Sequence, residues 1–215
     1  MKHILTITGP SGAGKDTLLD ALLVRNGIKD PKDVSELSAM CYAPTKVSLK
    51  VSELISHTTR SPRKGEVEGV DYYYIDLPTF NSLEKVEETE YAGNHYCLSA
   101  NELHKLKDGE WGAVVVDQHG VECIRKFVNA HPDEFTLTTV FLHISSYMSE
   151  HRMRMRGDKP ENIERRLKQQ AIRHEYYPNN PDTMDYILMS DNVRDVLDNV
   201  ETLQTAMAKV LRDKD

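Results

Sequence analysis

Gly9, Gly14 and Lys15 stand in a G-x-x-x-x-G-K spacing within "GPSGAGKDT". Glycines let successive backbone N–H groups turn inward around an anion, and a helix starting just beyond them adds its positive end. The lysine reaches the outer oxygens of a polyphosphate. The stretch nominates Gly9, Ser11, Gly12, Ala13, Gly14, Lys15, Asp16 and Thr17 as a nucleoside-triphosphate site. Asp16 is unusual, because a hydroxyl normally stands there for magnesium. A carboxylate is a stronger anionic ligand for a hard cation, yet it repels phosphate where no cation intervenes. Further along, Arg60 and Arg63 carry forked donors that match phosphate oxygens, and Tyr72 and Tyr96 add hydroxyls. Asp117 closes the apolar run "AVVVD", where a carboxylate can approach magnesium or a second nucleotide. Between His151 and His174, Arg152, Arg154, Arg156, Lys159, Arg165, Arg166, Lys168 and Arg173 face only Asp158, Glu161 and Glu164, which makes a local positive field. About half of these cations are expected to be ordinary solvated ion pairs.

These groups need elements to hold them. "HILTIT" reads as a strand, and Leu18, Leu19, Leu22 and Leu23 have helical spacing, so the loop sits between strand and helix. Residues 26–46 form a polar excursion with a short helix around Val34 to Met40. Val47, Leu49 and Val51 alternate as a strand, and a polar, turn-rich stretch returns to strand at Tyr72 to Ile75. Pro78 and Thr79 open a helix, "EYAGNHYC" reads as irregular strand and turn, and Asn101 caps a helix running to Lys107. Ala113 to Asp117 and Tyr186 to Met189 read as buried strands, "TTVFLHI" as another, and the last helix runs from Val193 to about Leu211. The order of strands and crossovers predicts helices on both faces of a mostly parallel sheet.

Composition bounds the rest. A chain of 215 residues, 39% hydrophobic and 28% charged, can bury one sizeable core. A net charge of -7 argues against binding polymeric nucleic acid, though not against a local basic cleft. Cys41, Cys97 and Cys123 are odd in number and lack metal-ligand spacing, which fits a reducing compartment. His57, His95, His119 and His143 form no ligand pattern with them. With no apolar run of membrane-spanning length and no signal-peptide pattern, the expectation is a soluble cytoplasmic protein without a membrane partner.

The pieces "GPSGAGK", "SHTTRSPRKGEVEGVDYYY", "AGNHY", "VDQHG" and the arginine-rich segment ending in "ERRL" occur in an order that resembles the guanylate kinases over nearly the whole chain. The resemblance implies transfer of the terminal phosphoryl group of ATP to GMP or dGMP, with magnesium as cofactor. It implies a three-layer α/β P-loop fold with an inserted nucleoside-monophosphate lobe and a helical lid. The divisions are a core at 1–50 that includes the excursion at 26–46, the lobe at 51–100, core at 101–150, the lid at 151–176 and core at 177–215. Arg60, Arg63, Tyr72 and Tyr96 match family positions that hold the acceptor phosphate. Ser56 and Glu87 match positions that read guanine, and Asp117 an acidic residue that helps bind the acceptor. Lys15, Arg60, Arg63, Arg152, Arg156 and Arg166 are the expected catalytic set, and Asp16, with Asp117 less directly, the expected metal ligands. A carboxylate at Glu87 can accept from guanine N1–H and the exocyclic amine, although Glu84, Glu88 and Glu90 beside it suggest a solvated charged strip. Val115, Leu98 and His119 depart from the family pattern and keep open a kinase for another purine monophosphate. A non-catalytic binding module is the third alternative, and the chain is expected as a monomer or homodimer.

Overall fold

The computed structural model describes the backbone of residues 1–42, 49–91, 93–179 and 183–212, with the side chains of these apart from 91 and 171–179. Val47 and the side chains of Arg173 and His174 therefore lie outside the described residues. Five strands form one parallel sheet in the order β2 (Val51–Glu53), β7 (Trp111–Val115), β1 (Lys2–Thr8), β8 (Phe135–His143) and β9 (Tyr186–Met189).

The strands' period of two explains the layers. Leu5 and Ile7 of β1, Trp111 and Ala113 of β7, and Val140 and Leu142 of β8 share one apolar cluster. It is completed by Leu18, Leu19, Leu22 and Leu23 of α1 (Lys15–Arg25) and by Val196, Val200, Leu203 and Met207 of α8 (Val193–Arg212). Ile4, Val114, Phe135 and Phe141 point the other way. They meet Leu103 of α4 (Ala100–His104) and Val121, Ile124 and Val128 of α5 (Gln118–Ala130). A sheet covered on both faces is the three-layer α/β arrangement. Each fully buried leucine such as Leu22 contributes about 1.5–3 kcal/mol relative to exposure.

A second, four-stranded sheet interrupts this rhythm in the order β4 (Tyr73–Tyr74), β3 (His57–Thr58), β6 (Asn94–Ser99) and β5 (Lys85–Tyr91). Between β4 and β5 lies α3 (Leu77–Ser82), whose Asp76 side chain caps Thr79 N–H. Within "EYAGNHYC", Glu90 and Tyr91 pair antiparallel with His95 and Asn94, and Gly93 adopts φ 75°, so the described residues are regular strand and turn. The strand expected from Val47 begins in the structure at Val51. The helix expected from Asn101 to Lys107 begins at Ala100 and ends at His104. β7 starts earlier than expected and ends at Val115, so Asp117 lies beyond it as the N-cap of α5. β9 is an edge strand with Ile187 and Met189 exposed, not a buried one. A helical hairpin, α6 (Ser146–Met155) and α7 (Pro160–Asn179), follows β8. Among the described residues no helix is long and apolar enough to cross a membrane.

Candidate active site

The loop between β1 and α1 is shaped by glycine and braced from outside. Gly9 adopts φ 151°, and a Cβ there would meet the Leu142 carbonyl oxygen of β8 at 2.6 Å. Gly14, the residue before α1, is left-handed at φ 78°. Three loop carbonyls accept bonds from distant side chains. Ser149 Oγ donates to Ser11 O at 2.8 Å, Arg152 to Gly12 O at 2.9 Å, and the buried Ser190 Oγ to Ala13 O at 2.6 Å. Because C=O and N–H of a trans peptide point oppositely, holding the Ser11 and Ala13 carbonyls turns the N–H groups of Gly12 and Gly14 the other way. Such converging N–H groups beside a helix start attract anions. Lys15 Nζ lies across this loop, donating to Gly9 O at 2.9 Å and Pro10 O at 3.1 Å.

A cleft of about 780 Å³ opens over the loop. Ser11, Gly12, Gly14, Lys15, Asp16 and Thr17 line one side, and Arg152, Arg156 and Arg166 of the helical hairpin line another. Asp158, in the turn between α6 and α7, holds two of these arginines. It accepts from Arg156 Nε at 3.0 Å and from the Arg156 and Arg166 guanidiniums at 2.7 and 2.8 Å. Its carboxyl is held below the usual range, first by the Arg156 hydrogen bond. Arg152 also donates to Asp191 O at 3.2 Å, so one guanidinium ties the phosphate loop, α6 and the β9–α8 turn together. Arg154 instead pairs with Glu150 on the exposed side, and Lys168 with Glu164.

Asp16 is exposed in the first turn of α1 and faces several elements. Arg156 is held above its usual value chiefly by its bond to Asp158, with Asp16 adding. Burial chiefly pushes Tyr72 up, and the charge of Asp16 adds there too. Asp16 shares the cleft lining with Lys15, Arg152, Arg156 and Arg166, and its carboxylate is a hard oxygen donor of the kind magnesium takes, although among the described residues no group of three or more His, Cys, Asp or Glu gathers to hold a metal. Asp117 is differently placed, since its Oδ1 accepts from Gly120 N–H at 2.9 Å as the cap of α5.

The small sheet gathers the remaining residues. Both terminal nitrogens of Arg60 donate to Glu66, at 2.9 and 3.0 Å, and its guanidinium lies 5.5 Å from the Tyr72 ring centre. Tyr72 meets Tyr96 edge-on with ring centres 5.9 Å apart. Glu66 also accepts from Arg63 N–H at 2.7 Å and Tyr74 OH at 2.9 Å, and the Arg60 bond above all holds its carboxyl at about 2. The Arg63 side chain is exposed, and Ser56 is half-buried, its carbonyl accepting from Tyr73 N–H.

Glu87 occupies a special register. The β5–β6 pairing shifts between Lys85 and Glu87, so Val86 and Glu87 are both buried while Glu88 and Glu90 stay exposed. A bulge re-aims a side chain in this way. β5 packs against α5. Burial, with the charge of Asp117 adding, pushes the Glu87 carboxyl up to about 7. Leu98 is fully buried in the second apolar cluster, its side chain offering no hydrogen-bonding group while its backbone N–H donates to the Glu87 carboxylate, and Val115 is half-buried.

Sequence reasoning missed Glu66, Asp158 and Ser149, and did not foresee the bond Ser190 makes to the loop. The first two were visible as acids among arginines in "RSPRKGE" and "RMRGD". The two serines carry no local signal, because their partners lie 138 and 177 residues away.

A parallel sheet with a glycine phosphate loop, an arginine-bearing helical hairpin and a second sheet with its own arginine and tyrosines defines a P-loop kinase of the nucleoside-monophosphate type. The profile of the family described as guanylate kinase matches residues 43–208. The chain is 31% identical over 205 residues to a guanylate kinase of Aromatoleum aromaticum, covering 92% of this chain and 84% of that one. It is 29% identical over 209 residues to a guanylate kinase of Alkalilimnicola ehrlichii, covering 94% and 88%. A solved guanylate kinase structure from Anaplasma phagocytophilum shares the fold, with a TM-score of 0.59 at 21% identity over 99% of this chain and 86% of that one. The chain belongs to the guanylate kinase family and is an enzyme of that kind.

Proposed function

We propose that the enzyme transfers the terminal phosphoryl group of ATP to GMP or dGMP, giving ADP and GDP or dGDP. An oxygen of the acceptor phosphate bonds to the γ-phosphorus while the bond to the β–γ bridging oxygen breaks. No protein nucleophile is required, and the residues' work is alignment and charge neutralisation. The phosphate loop and Lys15 hold the donor, and Arg60, Arg63, Tyr72 and Tyr96 hold the acceptor phosphate. Arg152, Arg156 and Arg166 face the charge that spreads over the moving group. Asp16 would hold magnesium, which when bound neutralises donor phosphate charge. Residues 51–100 act as the acceptor lobe and 151–176 as the lid over the core formed by 1–50, 101–150 and 177–215. Both substrates are soluble metabolites, and the cytoplasm is the compartment assigned.

The observation that carries the guanine reading is the bulge that turns Glu87 inward to 8% exposure, within reach of the charge of Asp117; the resemblance adds Ser56 as a donor for O6. A carboxylate so placed accepts from N1–H and the exocyclic amine, a pair of donors adenine lacks. One observation favours a second reading, a different purine monophosphate: Leu98 and Val115 supply apolar groups where the resemblance leads one to expect polar ones. The test is a phosphoryl-transfer panel with magnesium and ATP against GMP, dGMP, AMP, dAMP, IMP and pyrimidine monophosphates. GMP or dGMP is expected to lead. Folded protein that turns over no acceptor sinks the kinase reading, and a lead by another purine sinks the guanine assignment alone.

A further inference from the structure

The described part of the excursion after α1, residues 26–42, is a built element that reaches the phosphate-loop cleft. At its base, Asn26 is 5% exposed and donates to Leu22 O at 2.9 Å and to Gln204 at 3.0 Å, while its Oδ1 accepts from Leu49 N–H at 2.9 Å. One side chain thus fastens the outgoing chain, α8 and the returning chain. A 3-10 turn at Pro31–Asp33, capped by Asp30, and a short helix α2 (Glu36–Ala39), capped by Ser35, carry the chain back toward the loop. There Ser38, fully buried, donates through Oγ to Thr17 O at 3.0 Å, and Cys41 is buried in the core. The Ser35 cap and the Ser38 bond hold the residue between Ser35 and Ser38 that packs inward. Leu37 is half-buried, packs against the core cluster and lines the cleft together with Thr17, Met148, Val193 and Val196.

We propose that Leu37 is a wall of the donor-nucleoside end of this cleft, the surface against which the base and sugar of the triphosphate pack. This rests on the triphosphate reading above. The cleft is divided by chemistry. Within the lining, backbone N–H groups, Lys15 and arginines suit phosphates, whereas Leu37, Met148, Val193 and Val196 supply apolar surface that phosphates cannot use. A nucleoside extending from phosphates on the loop meets this surface, and a nucleobase gains by removing its faces from water. The excursion would thereby set affinity for the donor nucleoside without touching the acceptor.

The test separates base from phosphate. Binding of magnesium-ATP, binding of inorganic tripolyphosphate and KM for GMP are measured for the wild type, Leu37→Ala and Leu37→Met, with melting temperature as the fold check. Leu37→Ala is expected to weaken ATP on the order of tenfold, the effect of losing contact with a methylene or two. Tripolyphosphate and GMP stay unchanged, and Leu37→Met restores ATP. Unchanged ATP affinity in Leu37→Ala overturns the wall, as does a parallel loss of tripolyphosphate, which would make Leu37 a support of the loop. A wild type that binds neither ATP nor tripolyphosphate overturns the triphosphate reading and the wall with it.

Discussion

Glu87 shows how much one register shift decides. Buried beside Asp117, its carboxyl titrates near 7, so in the unliganded enzyme it gains a proton as the pH falls through that value. A protonated carboxyl loses an acceptor for guanine, and kcat/KM for GMP is expected to fall below about pH 7, as a pH profile of the free enzyme would report. Glu87→Gln should flatten that profile and narrow the preference for guanine over adenine; an unchanged profile counts against the assignment. Stability runs by the same sign. The folded-state value is raised, so the group's stabilising contribution is present at low pH and lost as pH rises through about 7. Glu87→Gln should therefore raise the melting temperature more at pH 8 than at pH 5. Asp16 is the other residue whose chemistry is its own. Asp16→Ser keeps an oxygen donor and should retain activity, whereas Asp16→Ala should raise the magnesium needed for half-maximal rate by roughly tenfold or more. Equal magnesium dependence in all three proteins would remove Asp16 from the metal's coordination.

At the scale of elements, helix ends do double work. Asp117 caps α5 and also contributes negative charge beside Glu87. These roles separate by substitution, because asparagine caps a helix about as well as aspartate, whereas alanine costs about 1 kcal/mol. Asp117→Asn should melt like the wild type while GMP affinity changes, and Asp117→Ala should lose both; chemical denaturation and GMP titration together check this. If Asp117→Asn leaves GMP binding untouched, the residue is a cap alone. The helical hairpin has the same economy. Asp158 gathers Arg156 and Arg166 in a short turn, so the cations reach the cleft as one group rather than as independent side chains. Helix α6 braces the phosphate loop through Ser149 and Arg152.

For the whole molecule, the donor and acceptor sites proposed above should both report on global stability. A ligand at about 100 times its dissociation constant adds about 2.7 kcal/mol, and at this chain length each kcal/mol is worth roughly 2–4 °C. Magnesium-ATP and GMP should each raise the melting temperature by several degrees in calorimetry, and polynucleotide should not, given the net charge of -7. A shift with polynucleotide but none with GMP would contradict the site. The sequence by itself determined the phosphate loop, because its glycine spacing and the strand and helix around it are local. It determined the layers as well, since the near-continuous apolar runs in β1, β7 and β8 must be covered on both faces. It also nominated Arg60, Arg63 and the lid arginines, which carry their charge wherever they fold. Only the tertiary structure decided which of Glu84, Glu87, Glu88 and Glu90 turns inward, because the bulge exists only where β5 pairs with β6. It alone showed that Glu66 holds Arg60, that Ser190 braces the loop from 177 residues away, and that the excursion brings Leu37 to the cleft. Those outcomes depend on contacts between segments far apart in the chain, and no local pattern of residue types encodes which distant partner will arrive.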